Sequence, residues 1–331
     1  MVSGGRYLVR VLLIAAALGL CVGGPGPARA GGTPIGFVSL PARGTLAVIA
    51  LPNGGILAHI KVTGKPDAVA ASMNGRRVLV ASPAAGAVTE IDGIHHRILQ
   101  IFRGIGRPVD VAFDYEPPVG IVTPRYAFVL EQARGTLAVL DLAHGRIASR
   151  IAVGVHPKQI AVDGSTLWIA HAESGLLTRV DVAPPTKPRL LAGVDSGGKL
   201  AALVADPELQ SVFVAFRHSG VVARYADGGA RAKPAYRTTI ARAPLAGLAV
   251  ALPQFLIAAD RHGVLHLMRE QNGRRVSKLR GPLGIRSLDV YGGWLVAILP
   301  RTLRLLGVPD GAMRSSVSLG SRFGGFAWAV L

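Results

Sequence analysis

The sequence predicts an all-β protein, a seven-bladed β-propeller that is closed by pairing of its N- and C-terminal strands in one blade. Three observations support this fold. A glycine-anchored pattern returns at a period of about 40–50 residues, the apolar runs alternate at period two, and each end of the chain supplies part of a blade. Half of the 331 residues are hydrophobic and 42 are glycine, which suits a large core with many tight turns.

The repeating pattern is a glycine followed by a short apolar strand. Seven registers occur: Gly44-TLAVI, Gly86-AVTEI, Gly135-TLAVL, Gly175-LLTRV, Gly220-VVARY, Gly263-VLHLM and, without the glycine, Thr302-LRLL. A glycine at the start of a strand permits the positive φ of a tight connection at little cost. Helical solenoids do not fit, because the apolar runs are rich in Val, Ile and Leu and are soon broken by turn residues.

Each unit contains four strands in the order that a propeller blade requires. In blade three the inner strand is predicted at 109–113, the second at 126–130, the third at 136–140 and the outer at 147–153. Gly154 and Pro157 then lead into the next blade. The whole pattern therefore predicts one radial sheet per repeat.

The two ends of the chain complete one blade together. A second strand is predicted near Phe37 with no inner strand before it, and an inner strand is predicted at 326–330. Pairing these two segments removes an unpaired sheet edge. The predicted blades are 35–62 with 323–331, 66–104, 108–154, 157–193, 200–241, 245–281 and 285–320.

Two stretches resemble the YVTN repeat of YncE-like seven-bladed propellers. They are RRVLVASPAAGAVTEID at 76–92 and GTLAVLDLAHGRIASRIAVGVHPKQIAV at 135–162. The YVTN repeat has a Val-Tyr-Val-Ala-Asn strand followed by Gly-Thr-Val-Ser-Val-Ile-Asp and a Gly-Lys turn. Where that repeat has tyrosine and asparagine, the first stretch has Leu79 and Ser82. The resemblance implies an exported propeller that serves as a binding scaffold.

The N-terminal segment predicts a signal peptide at 1–30, ahead of the propeller at 31–331. Two arginines precede an apolar run at 11–22, and an Ala-Arg-Ala sequence follows, as signal peptidase requires. The run is too short to span a bilayer, and no later segment reaches spanning length without charges. We expect a secreted, periplasmic or cell-envelope monomer, with retention as a membrane anchor as the alternative. Cys21 is the only cysteine, so export would leave no disulfide and no thiolate site.

The chain carries an excess of positive charge, which attracts anionic partners. The formal net charge is +18, and we expect a protein or an anionic envelope polymer as the partner. The basic residues are scattered with no dense run, which favours an arginine-rich soluble surface as the explanation of this charge, with attraction of an anionic partner as the alternative. Aromatic residues are only 5% of the chain, a weak signal for nucleic acid. Phosphate loops, dinucleotide fingerprints, metalloprotease motifs and nucleophile elbows are absent from the sequence, so no cofactor and no catalytic residue is assigned.

The predicted ligand site is the top face of the propeller, over the mouth of the central channel. This face gathers the connections into the inner strands and the turns between second and third strands. The candidate residues are Asp67, Asp110, Lys158, Gln159, His171, Glu173, His218, Asp260, Arg261, His262 and Arg286. They fit three interpretations: solvated turn residues, anion or glycan binding through Lys158, Arg261 and Arg286, or a metal or acid–base site formed by the histidines and carboxylates.

Other polar residues are predicted to be structural. Asp92, Asp141 and Asp181 recur just after third strands, where a carboxylate accepts hydrogen bonds from turn amides. His266 lies within a third strand and is expected to be packed or at an edge. The function favoured by the sequence is a non-catalytic binding scaffold. The alternative is a propeller hydrolase or lyase with a metal or an acid–base pair at the channel mouth.

Overall fold

The computed structural model describes residues 34–51, 53–114, 123–171, 173–226, 233–251, 254–291, 294–307 and 312–330. Their regular structure is β-strand, apart from one 3-10 turn at Pro83–Ala85. The strands form seven antiparallel sheets arranged as blades in a ring. The predicted all-β propeller is therefore confirmed. The predicted signal peptide lies outside the described residues, and among those that are described no helix is long and apolar enough to cross a membrane.

Each blade runs from an inner strand at the channel to an outer strand at the rim. Blade one contains β29 (Phe326–Val330), β1 (Pro34–Leu40), β2 (Thr45–Ala50) and β3 (Ile56–Lys61); blade two β4 (Val69–Ala71), β5 (Arg77–Ser82), β6 (Ala87–Asp92) and β7 (Arg97–Phe102); blade three β8 (Pro108–Phe113), β9 (Tyr126–Glu131), β10 (Thr136–Asp141) and β11 (Arg146–Ala152); blade four β12 (Pro157–Asp163), β13 (Thr166–His171), β14 (Leu176–Asp181), β15 (Arg189–Leu190) and β16 (Val194–Asp195).

The remaining three blades follow the same order. Blade five contains β17 (Leu200–Asp206), β18 (Ser211–Phe216), β19 (Val221–Ala226) and β20 (Pro234–Thr239); blade six β21 (Leu245–Ala251), β22 (Phe255–Asp260), β23 (Val264–Arg269) and β24 (Arg275–Arg280); blade seven β25 (Ser287–Tyr291), β26 (Trp294–Ile298), β27 (Thr302–Gly307) and β28 (Met313–Ser318). The outer edge of blade four differs, because β15 and β16 both pair with β14. Its pairing therefore extends beyond the predicted limit at residue 193.

Both ends of the described chain meet in blade one, as predicted. Strand β29 pairs antiparallel with β1, with Phe326 opposite Val38 and Ala327 opposite Phe37. The backbone N–H of Ser39 donates to the carbonyl of Gly325 at 3.0 Å, and the Ser39 hydroxyl accepts from the Gly325 N–H at 2.7 Å. Backbone hydrogen bonds rather than side-chain contacts alone therefore close the ring.

The hydrophobic core lies between neighbouring blades. Phe128 and Leu130 of blade three pack with Ile160, Leu167 and Ile169 of blade four in one buried cluster. Both faces of a blade are covered in this way, so second and third strands such as β13 are buried almost continuously, whereas outer strands such as β24 are exposed or half-buried. The period-two alternation predicted for the apolar runs is therefore not seen in the burial of the second and third strands, because a neighbouring blade covers each of their faces.

The repeat glycines serve two different geometric needs. Gly135 has φ 64°, the left-handed conformation that the tight connection was predicted to require. Gly220 is instead required by a close approach, since a Cβ atom there would lie 1.9 Å from the carbonyl oxygen of Ala241. The same position in the repeat therefore selects glycine for conformation in one blade and for space in another.

Candidate functional site

A shared irregularity of the inner strands shapes the top face. The pairing register of four inner strands shifts near their first residues, between Pro108 and Asp110, Pro157 and Gln159, Leu200 and Ala202, and Leu245 and Gly247. Each shift leaves one extra residue in the inner strand, and such a bulge redirects that side chain. Lys158, Ala201 and Ala246 are the extra residues of blades four, five and six, and all three line one cavity at the channel mouth.

Cations from four successive blades line this cavity, which has a volume of about 460 Å³. They are Lys158, Arg217, Arg261 and Arg286. The extra residues of blades five and six are alanines, so the centre between the cations is left open. The lining of this mouth thus combines small side chains with long basic ones.

A second cavity of about 450 Å³ adjoins the first, because Arg286 lines both. It adds Lys65, Arg322 and the candidate residue Asp67. We call the two cavities together the top mouth. Its charged lining is cationic apart from Asp67, and the sequence-predicted residues that it brings together are Asp67, Lys158, Arg261 and Arg286.

The cations of the top mouth lie close enough to lower one another's pKa values. Desolvation and the charge of Arg217 lower the pKa of Lys158, and Glu173 opposes this effect. Desolvation and the charge of Arg322 likewise lower the pKa of Arg286, opposed by Asp67. A lowered pKa in a basic group means that its charged form is destabilised where it stands. The site therefore carries more positive charge than its own carboxylates balance.

Glu173 acts as a counter-ion beside the mouth rather than as a free ligand. Its carboxylate accepts from Nζ of Lys199 at 2.7 Å and lies 3.5 Å from Nη1 of Arg217. The hydrogen bond and charge of Lys199, with a smaller contribution from Arg217, lower the pKa of Glu173. Its negative charge is thus already shared between two cations of blade five.

Asp110 and Gln159 join neighbouring inner strands. Asp110 accepts from the N–H of Val111 at 3.0 Å and from that of Ile160, in the next blade, at 2.8 Å. The Gln159 amide both donates to the carbonyl and accepts from the N–H of Leu203, at 3.0 and 3.1 Å. Desolvation raises the pKa of Asp110 to about 7 despite the two amides. Both side chains are engaged in structural ties.

His171 is buried inside blade four, and both ring nitrogens are engaged. Nδ1 lies 2.7 Å from the carbonyl oxygen of Val155 and donates to it, and Nε2 lies 2.8 Å from the hydroxyl of Thr178. Burial lowers the pKa of the ring, with the Val155 carbonyl opposing. This imidazole forms a hydrogen bond at each ring nitrogen and so ties the connection at Val155 and the third strand at Thr178 to β13.

Asp260 shapes the turn between β22 and β23. It accepts from the backbone N–H groups of His262 and Val264, both at 2.9 Å, and lies 3.0 Å from Nε2 of His266. The turn sends Arg261 to the top mouth, while His262 lines a different cavity. His218 is exposed in the turn after β18.

The histidines and carboxylates proposed for a metal site are therefore not gathered together. Across the described ranges, no three His, Asp or Glu side chains lie close enough to hold a metal ion. The predicted structural role of Asp92, Asp141 and Asp181 is confirmed, because each accepts from a backbone amide of the turn that follows it.

Sequence reasoning missed three cations of the top mouth: Lys65, Arg217 and Arg322. Arg217 stands directly before His218, at the start of the turn that follows β18. Lys65 and Arg322 lie in the connections that precede inner strands β4 and β29. The signal for both in the sequence is a basic residue in a connection that leads into an inner strand.

Comparison with known proteins identifies the fold. No family model matches the sequence, and no curated protein matches it significantly. A functionally unknown protein from Desulfotomaculum acetoxidans is similar in structure, with a TM-score of 0.79, 12% identity and coverage of 89% of this chain and 99% of that chain. These values show a shared propeller architecture.

Two further structures share the architecture under other names. AztD from Citrobacter koseri has a TM-score of 0.68 at 12% identity, covering 90% of this chain and 98% of that one. A 6-phosphogluconolactonase-like protein from Bacteroides fragilis has a TM-score of 0.72 at 10% identity, covering 91% and 99%. At such low identity the likeness is one of fold, and fold alone does not fix function.

Proposed function

We propose that this protein is an exported, non-catalytic scaffold that binds an anionic partner, either an envelope polymer or an acidic protein segment, in the top mouth. One observation carries the proposal: Lys158, Arg217, Arg261 and Arg286 reach one cavity from four different blades. Four long basic side chains in one concave site favour a negatively charged ligand.

The electrostatics of the unliganded site support this proposal. The pKa values of Lys158 and Arg286 are both lowered by desolvation and by a neighbouring cation. A bound anion would offset the repulsion between these neighbouring cations, which favours anion binding at the mouth. Charge-assisted hydrogen bonds to arginine would add to this and would favour carboxylate, sulfate or phosphate groups.

The shape of the mouth favours an extended ligand over a small ion. The two cavities are similar in volume, about 460 and 450 Å³, and share Arg286. A polyanion could place successive charged groups in both, with Arg286 between them and Arg261 and Arg322 on either side. Linked groups gain from the high effective concentration of the second contact. Export to the envelope is supported by the basic, apolar and Ala-x-Ala pattern of residues 1–30.

Affinity chromatography tests the proposal. Wild-type protein is applied to heparin and to polyglutamate, and the salt concentration at elution is compared with that of Arg286→Ala and Arg261→Ala. We expect both variants to elute earlier, because screened charge contacts at the mouth are lost. Arg76→Ala is the matched control, since this exposed arginine lies in the turn between β4 and β5, away from the mouth. Equal elution of all four proteins would overturn the proposal.

A further inference from the structure

A separate cavity of about 600 Å³ lies between the outer parts of blades five and six. We call it the lateral groove. Its charged and titratable lining consists of Arg242 from the connection between the blades, Asp260 and His262 from the β22–β23 turn, His266 from β23, and Arg275 and Lys278 from β24. His262 and Arg261 are neighbours in one turn but line the groove and the top mouth respectively.

His266 is the unusual member of this lining. It is 3% exposed, and its Nε2 lies 3.0 Å from Oδ2 of Asp260. Asp260 already accepts two backbone amides through Oδ1, and its Oδ2 accepts from Nε2 of the ring. Nδ1 then has no hydrogen-bond partner within the part of the chain that the structure describes. Buried polar atoms are rarely left in this state without a reason.

His171 and His266 differ in whether the second ring nitrogen has a partner within the protein. Both histidines are buried at the top of their blades, and each contacts a polar residue on the adjacent strand of its own sheet, Thr178 for His171 and Asp260 for His266. His171 satisfies its second nitrogen with the Val155 carbonyl. His266 instead lines an open groove. One imidazole thus completes its hydrogen bonds inside the protein, and the other lacks an internal partner.

The groove is strongly cationic around this imidazole. Arg242 and Lys278 are exposed, and Arg275 is held in place by donating to the Ile240 carbonyl at 3.0 Å. Among the described residues, none of these three cations forms an ion pair. Three cations against the single carboxylate of Asp260 disfavour a divalent metal and favour an anion.

We propose that the lateral groove is a second binding site, for a phosphate or sulfate monoester group. Lys278 and Arg242 supply the charge, Arg275 borders the site, and Nδ1 of His266 pairs with one oxygen of the ligand. The Asp260 carboxylate orients the ring, as carboxylates orient histidines in other polar sites.

Nuclear magnetic resonance of the imidazole groups tests the site directly. Inorganic phosphate is titrated at constant ionic strength against sodium chloride, and the His266 ring signals are followed. We expect a saturable shift that persists in Arg286→Ala, because the top mouth is a different site. Lys278→Ala should raise the dissociation constant for phosphate by about tenfold, the effect of losing one charged contact. Lys61→Ala, an exposed lysine on outer strand β3, is the matched control and should bind as wild type.

His266→Gln provides an independent variant. Glutamine can keep a donor toward Asp260 while removing the unpartnered ring nitrogen, so phosphate binding, followed here through the ring signals of His262 in the same groove, should weaken. Lys278→Ala keeps the proposal testable if this core variant does not fold. Sulfate, glycerol 3-phosphate and a sulfated oligosaccharide, titrated in turn, distinguish a free ion from an esterified or polymer-borne group. Absence of any saturable His266 shift, or a shift lost in Arg286→Ala and kept in Lys278→Ala, would overturn the proposal.

Discussion

One carboxylate oxygen of Asp110 accepts a hydrogen bond from the backbone N–H of Ile160 at 2.8 Å, across the boundary between blades three and four. The other oxygen accepts from Val111. Side chains at the bulged ends of inner strands therefore do two different jobs. Some, such as Lys158, line the mouth, while Asp110 and Gln159 fasten one blade to the next.

Asp110→Asn should destabilise the protein by roughly 1–3 kcal/mol at about pH 8, because the amide NH₂ would face a backbone N–H that now has an acceptor. Urea denaturation measures the change. Asp195→Asn is the control, since Asp195 uses one oxygen to accept from the Gly197 N–H at 2.8 Å and asparagine keeps that oxygen. Equal midpoints for Asp110→Asn and wild type would contradict the role of Asp110 as a tie.

Glu270 predicts a loss of stability at rising pH. It is fully buried, and burial, contact with Asp206 and the charge of Glu208 raise its pKa to about 8, opposed by Arg224. The unfolded chain releases this proton near the ordinary glutamate pKa of 4.5, whereas the native protein keeps it up to a pKa of about 8. The free energy of unfolding should therefore fall from about pH 5 to about pH 8.

Glu270→Gln should flatten this slope and stabilise the protein at about pH 8 by roughly 1 kcal/mol or more, since a neutral amide avoids the cost of the buried carboxyl. Denaturant unfolding at a series of pH values is the measurement. Glu208 is exposed in the turn after β17, and Glu208→Gln should change the slope of stability against pH far less. A parallel slope in Glu270→Gln and wild type would rule out this account of Glu270.

His171→Ala should reduce stability without changing anion binding at the top mouth. The substitution removes partners of the Val155 carbonyl and the Thr178 hydroxyl, at a cost of roughly 2–4 kcal/mol for two hydrogen bonds and a cavity. Thermal unfolding and heparin elution report the two properties separately. Exposed His218 is the control, and His218→Ala should leave both unchanged. If a folded His171→Ala variant eluted from heparin at a lower salt concentration than wild type, His171 would have to be counted as part of the binding site.

Gly325→Ala should weaken the joint between blades one and two. A Cβ atom there would lie 2.6 Å from the carbonyl oxygen of Asp67 and 2.8 Å from the nitrogen of Val69, both backbone atoms. We expect a destabilisation of about 1–3 kcal/mol, as in other overpacked sites. Gly55→Ala is the control because no atom lies within 4 Å of its added Cβ. Similar melting temperatures for both variants would show that the joint adapts.

The fold could be predicted because a propeller repeats one local rule. This rule is visible in the sequence as Gly135 before the apolar third strand β10. It is also visible in the strands that the two ends of the chain contribute to one blade. The site could be predicted only in part. Lys158, Arg261 and Arg286 were found from their positions in connections and turns. The direction of a side chain was not predictable, because at Asp110 and His171 it depends on neighbours in other strands, such as Ile160 and Thr178.

The closing of the ring has a consequence for how the molecule is made. Ser39 and Gly325, which bond to each other, are 286 positions apart in the chain. Strand β1 therefore leaves the ribosome long before its inner neighbour exists, and it must keep an open edge while the other blades emerge. Such an edge invites pairing with foreign strands or with a second nascent copy. A translation product that stops short of Phe326 would keep that edge open, which makes aggregation the expected fate of incomplete chains.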